Sequence, residues 1–196
     1  TFPSHIGLTG HIDPNLSGIY AFQELGFGFI EIGPIVLDEP KARIEPRMEN
    51  SRILFSEHQE KVPLKQVIKK LTSLNIQIPI FAKIDAQVNR NEWDIIVQHL
   101  TPFVDAFIVT SEQINSCLGK SVISWARPFY VSFSSDEMNK KEIEIGKLIK
   151  HKCIGGIVVN APRRAVDSYW HEVSNANECL ANTVKQVKDQ PFLTRN

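Results

Sequence analysis

The stretch Glu24-Leu25-Gly26-Phe27-Gly28-Phe29-Ile30-Glu31-Ile32-Gly33 decides how the chain folds. Its first residues read as a helix end and a glycine stop, because Gly26 suits the left-handed position just past a helix. Phe29, Ile30 and Ile32 then make a short apolar run closed by Gly33. A run that is apolar on both faces is the mark of a strand inside a parallel sheet. Glu31 interrupts it near the C-terminal end, where α/β proteins place their sites. Two roles stay open for Glu31: an ion pair within the core, or part of a ligand site.

Upstream, Ile6-Gly7-Leu8-Thr9-Gly10 reads as a first strand, stopped by the turn chemistry of Asp13-Pro14-Asn15. Ser17 to Leu25 fits a helix with Ser17 as its N-cap. Downstream, residues 34–61 hold Pro34, Pro40, Pro46 and mixed charge, which predicts a long loop with a short strand at Ile53-Leu54-Phe55. A helix-then-strand unit recurs from there. Pro63 opens a helix to Leu74 with Leu64, Val67, Ile68 and Leu71 on one face. A strand follows at 78–84. Asn91 is the expected cap of a helix bearing Ile95, Ile96 and Leu100, and a strand follows at 106–110. Residues 113–126 read as partly helical. Strands at 128–133 and 155–160 flank a helix from Ser135 to His151. A helix over about 175–188 and the start of one more strand at 191–194 close the chain.

Strand–helix alternation throughout implies a parallel sheet with right-handed crossovers. Six core strands are counted, with a seventh beginning. A complete (β/α)₈ barrel has eight strands over ~250 residues. The predicted fold is therefore α/β and (β/α)₈ TIM-barrel-like, shortened to about six parallel strands. It forms a single domain over 1–196, alone or within a longer chain. A doubly wound sheet is the alternative, but no G-x-G-x-x-G or P-loop pattern follows any strand. An arc of six strands leaves two edges, so a helix, a further segment, a second copy or a partner chain is expected to cover them.

The 196 residues carry 22 basic and 22 acidic side chains. That balance argues against nucleic acid as a partner. No apolar run reaches the ~18 residues of a membrane span, and no signal peptide is visible. Cys117, Cys153 and Cys179 are odd in number and far apart, which suits reduced thiols in the cytoplasm.

At this point a family resemblance becomes specific. Gly7-Leu8-Thr9-Gly10-His11-Ile12-Asp13-Pro14-Asn15, followed by Leu25-Gly26-Phe27-Gly28-Phe29-Ile30-Glu31-Ile32-Gly33, resembles the opening of the membrane-associated class of dihydroorotate dehydrogenase. That family reads G-L-A-A-G-L-D-K-N-G and then L-G-F-G-x-x-E-x-G-T. Lys41 to Arg47 resembles its K-P-R segment. His99 to Thr110 resembles the approach to its N-V-S-S-P-N, Pro128 to Asp136 its P-x-x-V-K-I-A-P-D, and Gly156 to Asn160 its G-x-x-x-T-N-T. The resemblance implies an FMN-containing (β/α)₈ barrel that oxidises dihydroorotate to orotate in pyrimidine synthesis.

Carried over residue by residue, most of the chemistry is replaced. The family's lysine after L-D falls on Pro14, and the glycine of A-A-G on His11. The threonine after E-x-G falls on Pro34. The segment I-N-R-M-G-F-N-N has no counterpart around Ile53 to His58. The asparagine of N-V-S-S-P-N falls on Thr110, and its base serine on Gln113, which cannot act as a general base. The flavin-contacting lysine of V-K-I falls on Ser132. Asp13, Asn15, Asn115 and Asn160 are kept. The glycine-rich phosphate turns of the family's last two strands have no counterpart in this sequence.

The expectation is a dihydroorotate dehydrogenase-like barrel domain that has lost catalysis and serves as a binding or regulatory module. The alternative is an FMN-dependent oxidoreductase with an altered site. No catalytic residue and no metal are expected; a metal site from His11, Asp13 and Glu31 is the weaker reading of those side chains. The candidate ligand-binding residues are His11, Asp13, Glu31, Thr110, Asn115 and Ser132, for a small anionic metabolite. Thr9, Gly10, Lys83 and Asn160 would hold the cofactor if FMN is bound; otherwise no cofactor is expected. The bland reading pairs Lys83 with Glu31 or Asp85 on a solvated rim. Arg163-Arg164 and Tyr169-Trp170-His171 suit an interface or phosphate contact, or packing of a loop on its own barrel.

Overall fold

The strand read from the deciding stretch, β2 (Phe29–Val36), is bonded on both sides and buried along nearly its whole length. The computed structural model describes residues 4–10, 12–39, 47–49, 52–54, 61–118, 126–134, 147–148 and 153–160. They fall into two compact units, one of Thr1–Val109 with Lys120–Phe129, the other of Thr110–Gly119 with Tyr130–Asn196.

In the first unit β1 (Gly7–Leu8) runs parallel to β2, with Gly7 opposite Phe29 and Leu8 opposite Ile30. The helix α1 (Ile19–Glu24) connects them. Two short strands, β3 (Arg47–Glu49) and β4 (Arg52–Leu54), form a separate antiparallel pair. Then β5 (Val62–Pro63) lies parallel along the end of β2 and leads into α2 (Leu64–Ser73). The parallel strand β6 (Ile80–Ile84) follows on the other side of β2. The helix α3 (Arg90–Leu100) and the strand β7 (Ala106–Val109) extend the sheet, with β7 parallel to β6. The order β1-β2-β6-β7 alternates strand and helix along the chain.

The second unit contains α4 (Ser111–Leu118), most of β8 (Phe129–Ser134), and β9 (Ile154–Asn160), hydrogen-bonded to β8. Among the described residues six strands follow in chain order, with a helix between successive members from β1 to β8, and the fold is the expected one: α/β, TIM-barrel-like, and shortened.

The apolar pattern explains the packing. Ile30, Ile32 and Ile35 of β2, Ile80, Phe81, Ala82 and Ile84 of β6, and all of β7 are buried. Leu64, Val67 and Leu71 turn one face of α2 inward and leave Lys65 and Lys69 outside. Trp93, Ile96 and Leu100 do the same for α3, and Trp93 stacks on Phe129, which in turn stacks on Phe107. Ile95, next to the inward-facing Ile96, is exposed.

The span expected as a long loop, 34–61, holds the end of β2 and the β3–β4 pair, and three other boundaries differ from the sequence reading for local reasons. β2 does not stop at Gly33 but runs to Val36 through a cis Gly33–Pro34 bond, with its register against β6 shifting between Ile32 and Ile35. Ser17 is not the N-cap of α1. The Asp13 carboxylate accepts the Ser17 and Gly18 N–H groups, each at 2.7 Å, and the helix begins at Ile19. Asn91 lies inside α3; Asn89 is the cap, in a reciprocal capping box with Glu92. The expected helix from Ser135 and all elements after Asn160 lie outside the described residues, save the helical pair Lys147 and Leu148. Among the described residues no helix is long and apolar enough to cross a membrane.

Gly26 has φ +80° beyond α1, as expected of a helix stop, and a Cβ there would meet nothing within 4 Å. Gly33 has φ +110°, and a Cβ there would stand 2.5 Å from the Lys83 carbonyl oxygen. Both substitutions carry the cost of a left-handed conformation, but only Gly33 adds a collision with backbone. Urea unfolding should show Gly26→Ala destabilised by about 1 kcal/mol and Gly33→Ala by at least about 3 kcal/mol. Equal losses would mean that β2 and β6 are not packed this closely.

Candidate functional site

In parallel α/β folds the carboxyl ends of the strands collect the polar side chains. In the first unit Gly10 and Asp85 follow β1 and β6, whereas Glu31, expected near the C-terminal end of its strand, is the third of the eight residues of β2 because that strand continues to Val36. Gly10, just after β1, is buried against β2, and a Cβ there would lie 2.6 Å from the Gly33 carbonyl oxygen. Its lack of a side chain is used to bring two stretches of backbone together.

Glu31 is 3% exposed, and its Oε1 lies 3.5 Å from the Nζ of Lys83, whose side chain is 20% exposed. Among the described residues no hydrogen bond to this Oε1 is formed. Asp85 takes a different cation: Lys61 Nζ donates to Asp85 Oδ1 at 3.0 Å and to Gln87 Oε1 at 2.8 Å. The same Asp85 oxygen accepts the Gln87 N–H. Of the two partners open to Lys83 in the sequence, the fold selects Glu31. Lys61 was missed, because it precedes β5 and reaches Asp85 only once β5 lies along β2. Asp13 is spent on the start of α1, and Thr9 accepts the Ile12 N–H through its carbonyl oxygen. His11 lies outside the described residues.

In the second unit, Thr110 and Gln113 hold the start of α4. The Gln113 Oε1 accepts the Thr110 N–H at 2.9 Å, and the Thr110 Oγ1 accepts the Gln113 N–H at 3.2 Å. This is a capping box, and the pattern Thr110-Ser111-Glu112-Gln113 was its signal in the sequence. Asn115 is exposed on α4. Asn160 Nδ2 donates to Ser132 Oγ at 3.0 Å, joining the β9 and β8 candidates. Burial raises the Tyr130 hydroxyl above the ordinary 10.0 of a phenol. Among the described residues no three His, Cys, Asp or Glu side chains are grouped to hold a metal.

The candidates thus fall into pairs within each unit: Glu31 with Lys83, Asp85 with Lys61, Thr110 with Gln113, and Ser132 with Asn160. Such an arrangement offers balanced charge and amide or hydroxyl hydrogen bonds.

Comparison with known proteins adds one finding. Over 48 residues the chain is 42% identical to the dihydroorotate dehydrogenase (quinone) of Dichelobacter nodosus (strain VCS1703A). The match takes in 24% of this chain and spans 14% of that protein's length. No protein-family model matches.

The Glu31–Lys83 pair is testable by a mutant cycle. Lys83→Met leaves a buried carboxylate without its cation and should cost about 3 kcal/mol in urea unfolding. Replacing both, Glu31→Leu with Lys83→Met, should cost less than about 1 kcal/mol. Additive losses in the double variant would show that the two groups do not interact.

Proposed function

We propose that this chain is a dihydroorotate dehydrogenase-like barrel domain that does not carry out the dehydrogenase reaction and works as a small-molecule binding or regulatory module. The observation that carries this reading is the capping box at α4. Gln113 stands where the resemblance puts the proton-abstracting serine, and its side-chain oxygen is occupied by the Thr110 N–H. An amide has no basic lone pair to offer at neutral pH, so this position supplies positioning and no proton transfer. Pro14, where the family has lysine, has neither charge nor backbone donor.

The groups that would hold FMN support the same reading. Gly10's open side faces the backbone at Gly33, Lys83 lies against Glu31, and Asn160 donates to Ser132. A flavin in this place would have to displace an internal partner at each of these points. The module belongs, on this reading, in the cytoplasm.

The 48-residue identity favours a second reading, an FMN-dependent oxidoreductase with an altered site. One preparation separates the two. Freshly purified protein should be colourless, release no flavin on denaturation as read by mass spectrometry, and fail to reduce a quinone or dye with dihydroorotate. A yellow protein with stoichiometric FMN and dihydroorotate-dependent dye reduction would establish the second reading in place of the first.

A further inference from the structure

The register of the first unit assigns each side chain of its sheet to a face. Glu31 lies opposite Phe81, and Lys83 opposite Ile108. Residues paired across strands share a face, as do residues two apart along one strand. Phe29, Glu31, Phe81, Lys83 and Ile108 therefore share one face. Ala82 and Phe107 are on the other, where Phe107 reaches α3 through Phe129 and Trp93. On the face away from α3, the Phe29 and Phe81 rings stack at 4.5 Å and the Lys83 ammonium stands 3.5 Å from a carboxylate that is almost wholly buried. The Lys83 side chain is 20% exposed. The Glu31 oxygen facing it is fully covered and takes part in no hydrogen bond.

We propose that Lys83 captures a neutral, apolar aldehyde or ketone as a reversible imine, with Glu31 as the group that takes and returns the proton. The inference deepens the binding-module reading and rests on it, since it gives the pair a small ligand in place of a flavin. In the proposed step one proton passes from the Lys83 ammonium to the Glu31 carboxylate across the 3.5 Å between them. The freed lone pair on Nζ attacks the carbonyl carbon, a C–N bond forms, and the C=O π electrons move to oxygen. A second proton shifts from nitrogen to that oxygen, giving a neutral carbinolamine. Glu31 returns its proton to the hydroxyl, the C–O bond breaks, and water leaves as the nitrogen lone pair forms C=N. The products are water, the Lys83 iminium and the Glu31 carboxylate, so the charges balance and nothing is oxidised or reduced. The restored carboxylate pairs with the iminium. It also repels a carbonyl compound that carries its own carboxylate, which is why the ligand class is neutral. Phe29 and Phe81 supply the apolar surroundings.

Benzaldehyde with sodium cyanoborohydride, followed by peptide mass mapping, tests this on the purified protein. The reductively fixed benzyl group should appear on Lys83 ahead of the exposed Lys65 and Lys69. Glyoxylate, the anionic probe, should label Lys83 more slowly than benzaldehyde does. Glu31→Gln should slow labelling at Lys83 by at least about tenfold while Lys65 and Lys69 react as before. Lys83→Arg keeps a cation beside Glu31 and should remove labelling at that position alone. Labelling of Lys83 no faster than Lys65 and Lys69 would overturn the proposal, as would a Lys83 rate indifferent to Glu31→Gln. If that variant does not fold, the ratio of Lys83 to Lys65 labelling in the unaltered protein decides the matter. The flavin spectrum of the same sample separates a failure here from a failure of the binding-module reading.

Discussion

A carboxylate in the middle of a strand that is covered on both faces has to meet its cation inside the protein, and Glu31 meets Lys83. That constraint ties β2 to β6. Gly10 and Gly33 sit beside it, each without room for a Cβ because neighbouring backbone occupies the space. The pair therefore stands on a framework of close backbone contacts, not on flexible loops. Rigid elements of this kind hold side chains more precisely than loops do.

The same economy runs through the other strand ends. Asp13 holds the first turn of α1, Asp85 takes Lys61, Thr110 and Gln113 close the start of α4, and Ser132 receives Asn160. Each of these side chains has an internal task. Here their hydrogen bonds serve helix starts and strand pairs, and the chemistry left over is concentrated at Lys83 and its buried neighbour.

Much of this was legible in the residues. The apolar run at Phe29–Ile32, the helix face of Leu64, Val67 and Leu71, and the strand–helix alternation announced a parallel α/β fold, because burial on both faces leaves an unbroken apolar segment. The continuation of β2 past Gly33 was not legible. Glycine followed by proline ordinarily marks a stop, and only the register shift against β6 lets the strand go on. The caps were misplaced by a few residues where several capping side chains stand close together, as with Asn89 and Asn91. For the site, sequence located the charged residues but left Lys83 with two candidate partners. The choice depends on Lys61 arriving at Asp85 through β5, a pairing between distant segments that no local pattern records.

The central claim is that the position resembling a catalytic base has become a helix cap. Gln113→Ser tests it most directly, by restoring the family's hydroxyl while shortening the side chain that closes α4. The account predicts a loss of about 1 kcal/mol in urea unfolding, the size of a lost cap, with no dihydroorotate-dependent dye reduction gained when FMN is supplied. Unchanged stability together with the appearance of that activity would contradict it.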